Sequence, residues 1–360
     1  MTFHESDFLK SEKKHQAEWR FSSEYLTKDA KKPFIYRGRE YHRWVLPVSC
    51  ADQNLHQWIR QEAIEYFDEN RIEWYPQDPR DITQRTSAEV DPPTNNLVSS
   101  QVQCVNCMFP FLHDPEGLEE LLTPAFSDID RILPIESQNQ YIDFEWIGGS
   151  INYLKEKPMF GKKRRRGVGN TSADAVLKMQ TKSGRARFVI LEWKFTEEYS
   201  RHNKEIRLLT DKEKEEKKKR KKKERKKTYG PFLKATDCPI NTSKPNSLED
   251  DLLLLEPIYQ ITRHLLVAHE IKKDPPKIDN KIDDKIDEVV VFVMRSERNQ
   301  KILKNPSPNL PQVGTVYDSM REILRDPGML VDVTTESLFK PYHEKHKTPI
   351  SKYLASRYLL

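Results

Sequence analysis

Glycine is scarce in this chain, 11 among 360 residues, and no glycine-rich loop that could cradle phosphates is present. That excludes a nucleotide-driven motor built on such a loop. Cysteine is rarer still, four in all, which excludes a disulfide-stapled scaffold and points to a reducing, cytoplasmic setting. No run approaches the roughly 20 apolar residues of a membrane span, and MTFHESDFLKSEKK at the start lacks the apolar core of a secretory signal. His264 and His269 have no acid or serine partner in a recognisable nucleophile pattern, so a hydrolase triad is not expected.

What the chain has is charge. Charged residues make up 32% against 36% hydrophobic, a polar but foldable balance. The net charge of +5 is unevenly placed. Within Lys155–Gly169 lies a run of five cations between glycines, Lys162, Lys163, Arg164, Arg165 and Arg166. Such a run cannot pack into a core. It reads as a solvated loop that is also placed to bind DNA phosphates. Asp211–Lys227, DKEKEEKKKRKKKERKK, is a second block of this kind, a solvated helix extension or a disordered arm.

The stretch Asn170–Thr196 organises the rest. Two runs of strand-forming residues, 173–180 and 188–195, flank a Lys-Ser-Gly-Arg turn. Side chains alternate along a strand, so Glu192 and Lys194 share a face. An antiparallel hairpin centred near Ser183 sets Asp174 opposite Glu192. The reverse face, Val189, Leu191, Trp193 and Phe195, is apolar and suits a core. Two carboxylates at one spot repel, and a hard divalent cation such as Mg²⁺ removes the penalty. An ion there can polarise a phosphoryl oxygen and acidify water, with a neighbouring ammonium stabilising developing charge. The alternative is a solvated strand face carrying an ordinary Glu/Lys pair.

Ala173-Asp174-Ala175, followed by Ile190-Leu191-Glu192-Trp193-Lys194-Phe195-Thr196-Glu197, resembles the PD-(D/E)XK nuclease superfamily. Within it the chain is most similar to a group of restriction-endonuclease-like proteins that carry a Glu-Trp-Lys-aromatic-Thr-Glu run. The resemblance implies Asp174 and Glu192 as metal ligands, Lys194 as the catalytic lysine, and a further acid on the preceding element, for which Glu145 is in place. The proline of the superfamily name is replaced by Ala173. Tyr259-Gln260-x-x-Arg263 resembles the helix that follows the catalytic hairpin in that group, which implies that Gln260 reaches the site and makes Arg263 a candidate nucleic-acid contact. Ser100-Gln101 with Asn106 resembles the helix that precedes the core. There, packing or capping is the alternative role.

The remaining elements fit around that hairpin. Residues 1–90 read as a mostly helical region, with helices over 5–25 and 54–70 and a short strand at 44–48. Gln77–Asn96 reads as a loop. Residues 91–360 read as the catalytic core with a charged insertion around 197–246. In it, Leu97–Leu112 is an apolar helix whose Cys104 and Cys107 are packing groups rather than zinc ligands. Gly117–Ile132 is one or two further helices, Tyr141–Gly149 the first core element, and Thr228–Asn246 a loop. Ser247–Ile271 is a helix with Ser247 as N-cap and a break at Pro257. Glu288–Arg295 is a buried central strand, Met329–Val333 a short strand and Ile350–Leu360 a terminal helix.

The expected architecture is α/β, a restriction-endonuclease-like mixed central sheet flanked by helices with an α-rich N-terminal region. The expected activity is Mg²⁺-dependent hydrolysis of DNA, with Mn²⁺ as a substitute, in restriction-type defence. Glu145, Asp174, Glu192, Lys194 and Gln260 form the catalytic set. A homodimer and a methyltransferase or other defence-system partner are compatible with that reading, and a membrane is not. Alternatives are a repair, recombination or mobile-element nuclease, a non-hydrolysing nucleic-acid-binding protein on the same fold, and, more distantly, a glycosidase with paired carboxylates.

Overall fold

Ser6 opens the first helix, α1 (Asp7–Ser22), its hydroxyl accepting from the Leu9 N–H at 3.1 Å. The computed structural model describes residues 6–75, 92–135, 139–157, 164, 166–167, 170–197, 211–241, 253, 256, 258–276, 285–304, 311 and 313–359. After α1 come one turn of helix, α2 (Lys28–Lys31), a short ribbon of β1 (Ile35–Tyr36) and β2 (Arg39–Glu40), and α3 (Arg60–Glu69). Ser99 caps α4 (Ser100–Met108) and Asp114 caps α5 (Pro115–Leu122) through their side-chain oxygens.

Six strands form the mixed sheet: β3 (Ile129–Leu133), β4 (Asp143–Trp146), β5 (Ala173–Thr181), β6 (Ala186–Lys194), β7 (Glu288–Arg295) and β8 (Leu330–Thr334). β5 and β6 are antiparallel, while β6, β7 and β8 run parallel. β4 pairs with the first half of β5 and β3 with its second half, so the two short strands share one edge end to end. Among the described residues five helices follow: α6 (Asp211–Leu233), α7 (Ile258–Lys273), α8 (Val316–Ile323), α9 (Thr335–Lys345) and α10 (Pro349–Tyr358). Among the described residues no helix is long and apolar enough to cross a membrane.

Both sheet faces are covered, which is why β7 is apolar without alternation. On one side Val189, Leu191, Trp193 and Phe195 pack in one cluster with Phe67 of α3 and Phe339 of α9. Trp19 of α1 and Tyr353 of α10 belong to the same cluster, their rings edge to face at 5.8 Å. On the other side Phe188, Ile190, Val291 and Val293 meet Leu265 and Ala268 of α7.

Three expected elements differ. Ile129–Leu133 is a strand, not helix, because β4 leaves the second half of β5 with an open edge that β3 fills. Residues 44–48 form no strand. A single bridge from Val45 to Asn96 is followed by a tight helical segment, Val48–Asn54. Thr228–Leu233 continues α6 rather than looping, since Tyr229 and Leu233, four apart, are both buried against the sheet-facing cluster. The helix expected from residue 54 begins at Arg60, and of the helix expected over Ser247–Ile271 the described part is Ile258–Lys273. Ser247, Pro257 and most of Gln77–Asn96 lie outside the described residues.

Trp193 ties β6 to the helical layer. It is 1% exposed, and its indole N–H donates to Gln103 Oε1 at 2.9 Å. Trp193→Ala should cost ~3–5 kcal/mol in urea unfolding, combining a cavity with an orphaned acceptor, and Trp193→Phe should cost clearly less.

Candidate active site

The hairpin turn sets the geometry. Gly184 sits at φ +80°, a left-handed conformation that costs glycine little, and its N–H closes the turn on the Thr181 carbonyl at 2.8 Å. Ala175 then pairs with Leu191 and Gln180 with Ala186, a register centred on Ser183. Continued one step past the end of the ladder, that register sets Asp174 against Glu192, the expected juxtaposition. On the other edge, Phe144 pairs with Ala175 and Trp146 with Ala173, which brackets Glu145 opposite Asp174. Glu145, Asp174 and Glu192 therefore form a row across β4, β5 and β6. Glu145 itself has φ +49°, a left-handed conformation that is strained for a side chain with a Cβ.

Each acid is held differently. Glu145 is buried and accepts from Gln101 Nε2 at 2.9 Å and from the Ser172 hydroxyl at 3.0 Å. Asp174 Oδ2 accepts from the Trp193 N–H at 2.6 Å, beyond the end of the strand ladder. Glu192 is buried between two cations or potential cations, with Lys194 Nζ at 2.5 Å from one oxygen and His264 Nε2 at 2.7 Å from the other. Lys194 Nζ also donates to Gln260 Oε1 at 2.8 Å. Gln260 and His264 are four apart on α7, on the side that crosses β6.

A family model described as restriction endonuclease associating with ARP matches residues 6–359. The chain belongs to that family. No curated protein and no solved structure matches it. In this restriction-endonuclease family member the five expected catalytic side chains fall into two linked groups, Glu145 with Asp174, and Glu192 with Lys194 and Gln260.

Electrostatics separates the three acids. Burial pushes Glu145 up to about 7, the donors Gln101 and Ser172 pull it partway back, and the charge on Glu192 adds to the rise. Burial also raises Asp174 well above the usual carboxylate range, helped by the charges on Glu192 and Glu145. Burial acts on Glu192 in the same direction, but Lys194 and His264 outweigh it and hold this acid well below that range. Glu192 is thus the ionised member, already balanced by protein cations. Glu145 and Asp174 carry the charge that the protein leaves poorly compensated. Their donor set is all oxygen, which suits a hard cation that keeps most of its waters and takes one or two carboxylates. A preformed cage of three or more His, Cys, Asp or Glu side chains is absent among the described residues.

The basic loop is built in differently from the expectation of a solvated run. Arg164 donates to the carbonyls of Ile147, Gly149 and Ile151 at 2.8, 3.2 and 2.9 Å. Arg166 pairs with Asp143 and donates to the Glu145 carbonyl at 3.3 Å. These two arginines bind the loop to the acid-bearing edge strand. Lys162, Lys163 and Arg165 lie outside the described residues. Arg263 stacks 4.5 Å from the Tyr259 ring centre and reaches Thr171 Oγ1 at 3.4 Å.

Sequence reasoning left His264 without a partner, and the fold supplies Glu192. The i, i+4 spacing from Gln260 was visible. The crossing of α7 over β6 was not, because it is a long-range contact. Gln101 does reach the site, whereas Asn106 is a packing group held by the His56 N–H, the Asn54 carbonyl and the Tyr358 hydroxyl. Cys104 and Cys107 are buried and free, as expected of packing residues.

Glu145 generates a pH prediction. Its folded value, about 7, lies above the ordinary 4.5, so the unfolded chain ionises first as pH rises. Metal-free stability should therefore fall from about pH 4.5 to about pH 7. Glu145→Gln should flatten that decline in denaturation curves collected across the window. His264→Ala should cost ~1–3 kcal/mol by leaving a buried oxygen of Glu192 without its donor, and His264→Gln should recover part of the loss.

Proposed function

We propose that the chain is a divalent-metal-dependent DNA endonuclease of restriction type. The observation that carries this reading is the row Glu145–Asp174–Glu192 across three adjacent strands, with Lys194 beside Glu192. Asp174 and Glu145 would hold the ion, with Glu192 as the third oxygen donor. Bound there, Mg²⁺ supplies Lewis-acid polarisation of a phosphoryl oxygen and a more acidic water.

The chain's own groups do the positioning. Glu192 and Gln260 fix the Lys194 ammonium from two sides, so it meets the phosphodiester already oriented. Lys194 directs the attacking water at phosphorus and stabilises the negative charge that develops on the phosphoryl oxygens. His264 holds the second oxygen of Glu192 and keeps that carboxylate facing the lysine. Gln101 and Ser172 do the same for Glu145. Lys162, Lys163, Arg164, Arg165, Arg166 and Arg263 are assigned to the phosphates near the cut. Arg164 and Arg166 act chiefly by fixing the loop that carries the others.

The family's printed name joins a restriction endonuclease to ARP, and we carry that association to this chain as its partner. A defence role follows from the same name, and a homodimer would give two sites for the two strands. A repair, recombination or mobile-element nuclease would use the same chemistry. A non-hydrolysing binding protein would have no use for a buried lysine clamped between Glu192 and Gln260.

Supercoiled plasmid should be cut with Mg²⁺ or Mn²⁺ and left intact with chelator. Asp174→Ala, Glu192→Ala and Lys194→Ala should each lower the cleavage rate by about 10²–10³-fold or more while DNA binding survives. Full cutting by any one of them rules out this assignment of the site.

A further inference from the structure

Helix α6 is polar on all sides, yet it does not float. Residues 211–233 carry twelve lysines and arginines against five acids, so like charges crowd at i, i+4 along most of its length. Its far end is fastened to the catalytic layer. Tyr229 is 5% exposed and Leu233 2%. The Tyr229 hydroxyl donates to Glu156 Oε1 at 2.6 Å and accepts from the Tyr259 hydroxyl at 3.0 Å. Glu156 is buried and also takes the Thr171 N–H at 2.7 Å and hydroxyl at 2.6 Å, three residues before Asp174. Tyr259 immediately precedes Gln260. The anchor of α6 is thus joined through hydrogen bonds to both the strand that bears Asp174 and the helix that bears Gln260 and His264.

Two guanidinium groups meet at that joint. Arg225 of α6 lies 3.7 Å and Arg263 of α7 4.5 Å from the centre of the Tyr259 ring. The Arg263 Nε is buried with no hydrogen-bond partner among the described residues. Among the described residues, the acids at this joint are Glu256, 3.6 Å from Arg225, and Glu156, which already takes three donors. Paired arginines with an unanswered donor suit an anion that brings several acceptor oxygens, as a phosphodiester does. Beyond the joint, Lys219, Arg220, Lys222 and Lys223 are exposed along the helix.

We propose that α6 is a docking arm for the duplex DNA flanking the cleaved bond, with Arg225 and Arg263 on the Tyr259 ring as its first phosphate clamp. The proposal rests on the nuclease reading for the position of that bond. At 1.5 Å per residue the helix is ~35 Å long, which matches about ten base pairs of backbone. The arm therefore makes the enzyme sensitive to how much duplex lies beside the cut, independently of sequence.

The test uses the full chain carrying Lys194→Ala, so that binding is read without cleavage, and fluorescent duplexes from about 10 to about 40 base pairs in a salt series. Affinity should rise at least tenfold as the duplex lengthens past the reach of the arm. Replacing Lys219, Arg220, Lys222 and Lys223 with Gln should remove that gain and make the salt slope shallower by about 3–4. Tyr229→Phe, which keeps every charge but loses the anchor, should shrink the length-dependent gain. Wild-type length dependence and salt slope in the fourfold variant would overturn the proposal, as would retention on anionic vesicles or single-stranded RNA in preference to duplex. The nuclease reading fails separately. Plasmid left uncut by the unmodified chain, with length-dependent binding intact, sinks that reading and leaves the arm, whereas normal cutting with unchanged binding by the fourfold variant does the reverse.

Discussion

Three carboxylates on neighbouring strands cannot share a buried spot unless something answers their charge. In this protein the answer is uneven. Lys194 and His264 grip Glu192 from both oxygens, so the third acid of the row is settled by the protein itself. Glu145 and Asp174 receive neutral donors only, from Gln101, Ser172 and the Trp193 amide. The row is thereby divided into an end that the protein's own cations hold ionised and an end whose carboxyls burial holds toward the protonated form.

The hairpin made the gathering of Asp174, Glu192 and Lys194 readable in advance, though not the division of the row. Alternation along β6 sorts Glu192 and Lys194 from Leu191 and Trp193, and the turn residues fix the centre at Ser183, so bringing Asp174 near Glu192 needs no tertiary information. β7 was equally legible, because only a doubly covered strand runs Val-Val-Val-Phe-Val-Met. What failed was context. Ile129–Leu133 carries no strong period of its own and became a strand because an edge of β5 was available. His264 looked idle because its acid lies 72 residues away on another layer.

The cations show the same limit more sharply. Arg164 and Arg166 sit in a run that composition alone assigns to solvent, yet both turn inward and satisfy backbone oxygens or Asp143. Arginine can do this because its planar fork serves several acceptors at once. In α6 the lysines at 222 and 223 remain on the outside, while Arg225, one turn nearer the anchor, lies on an aromatic ring. A cationic run is therefore divided by geometry into residues that fasten and residues that face outward, and sequence spacing does not reveal the division.

The links between these parts make the site a single mechanical unit. Thr171 leads into β5 and Asp174, Glu156 joins Thr171 to Tyr229, and Tyr229 joins Tyr259, the neighbour of Gln260. A shift of α6 is thus resisted by bonds that end beside β5 and on α7. Buried hydrogen bonds of this kind are costly to leave unmade, so the linked groups move together or not at all. A backbone held by the outer cations would be held at a set distance from Lys194, and near-attack geometry would then follow from the placement of a rigid helix rather than from closure of a loop.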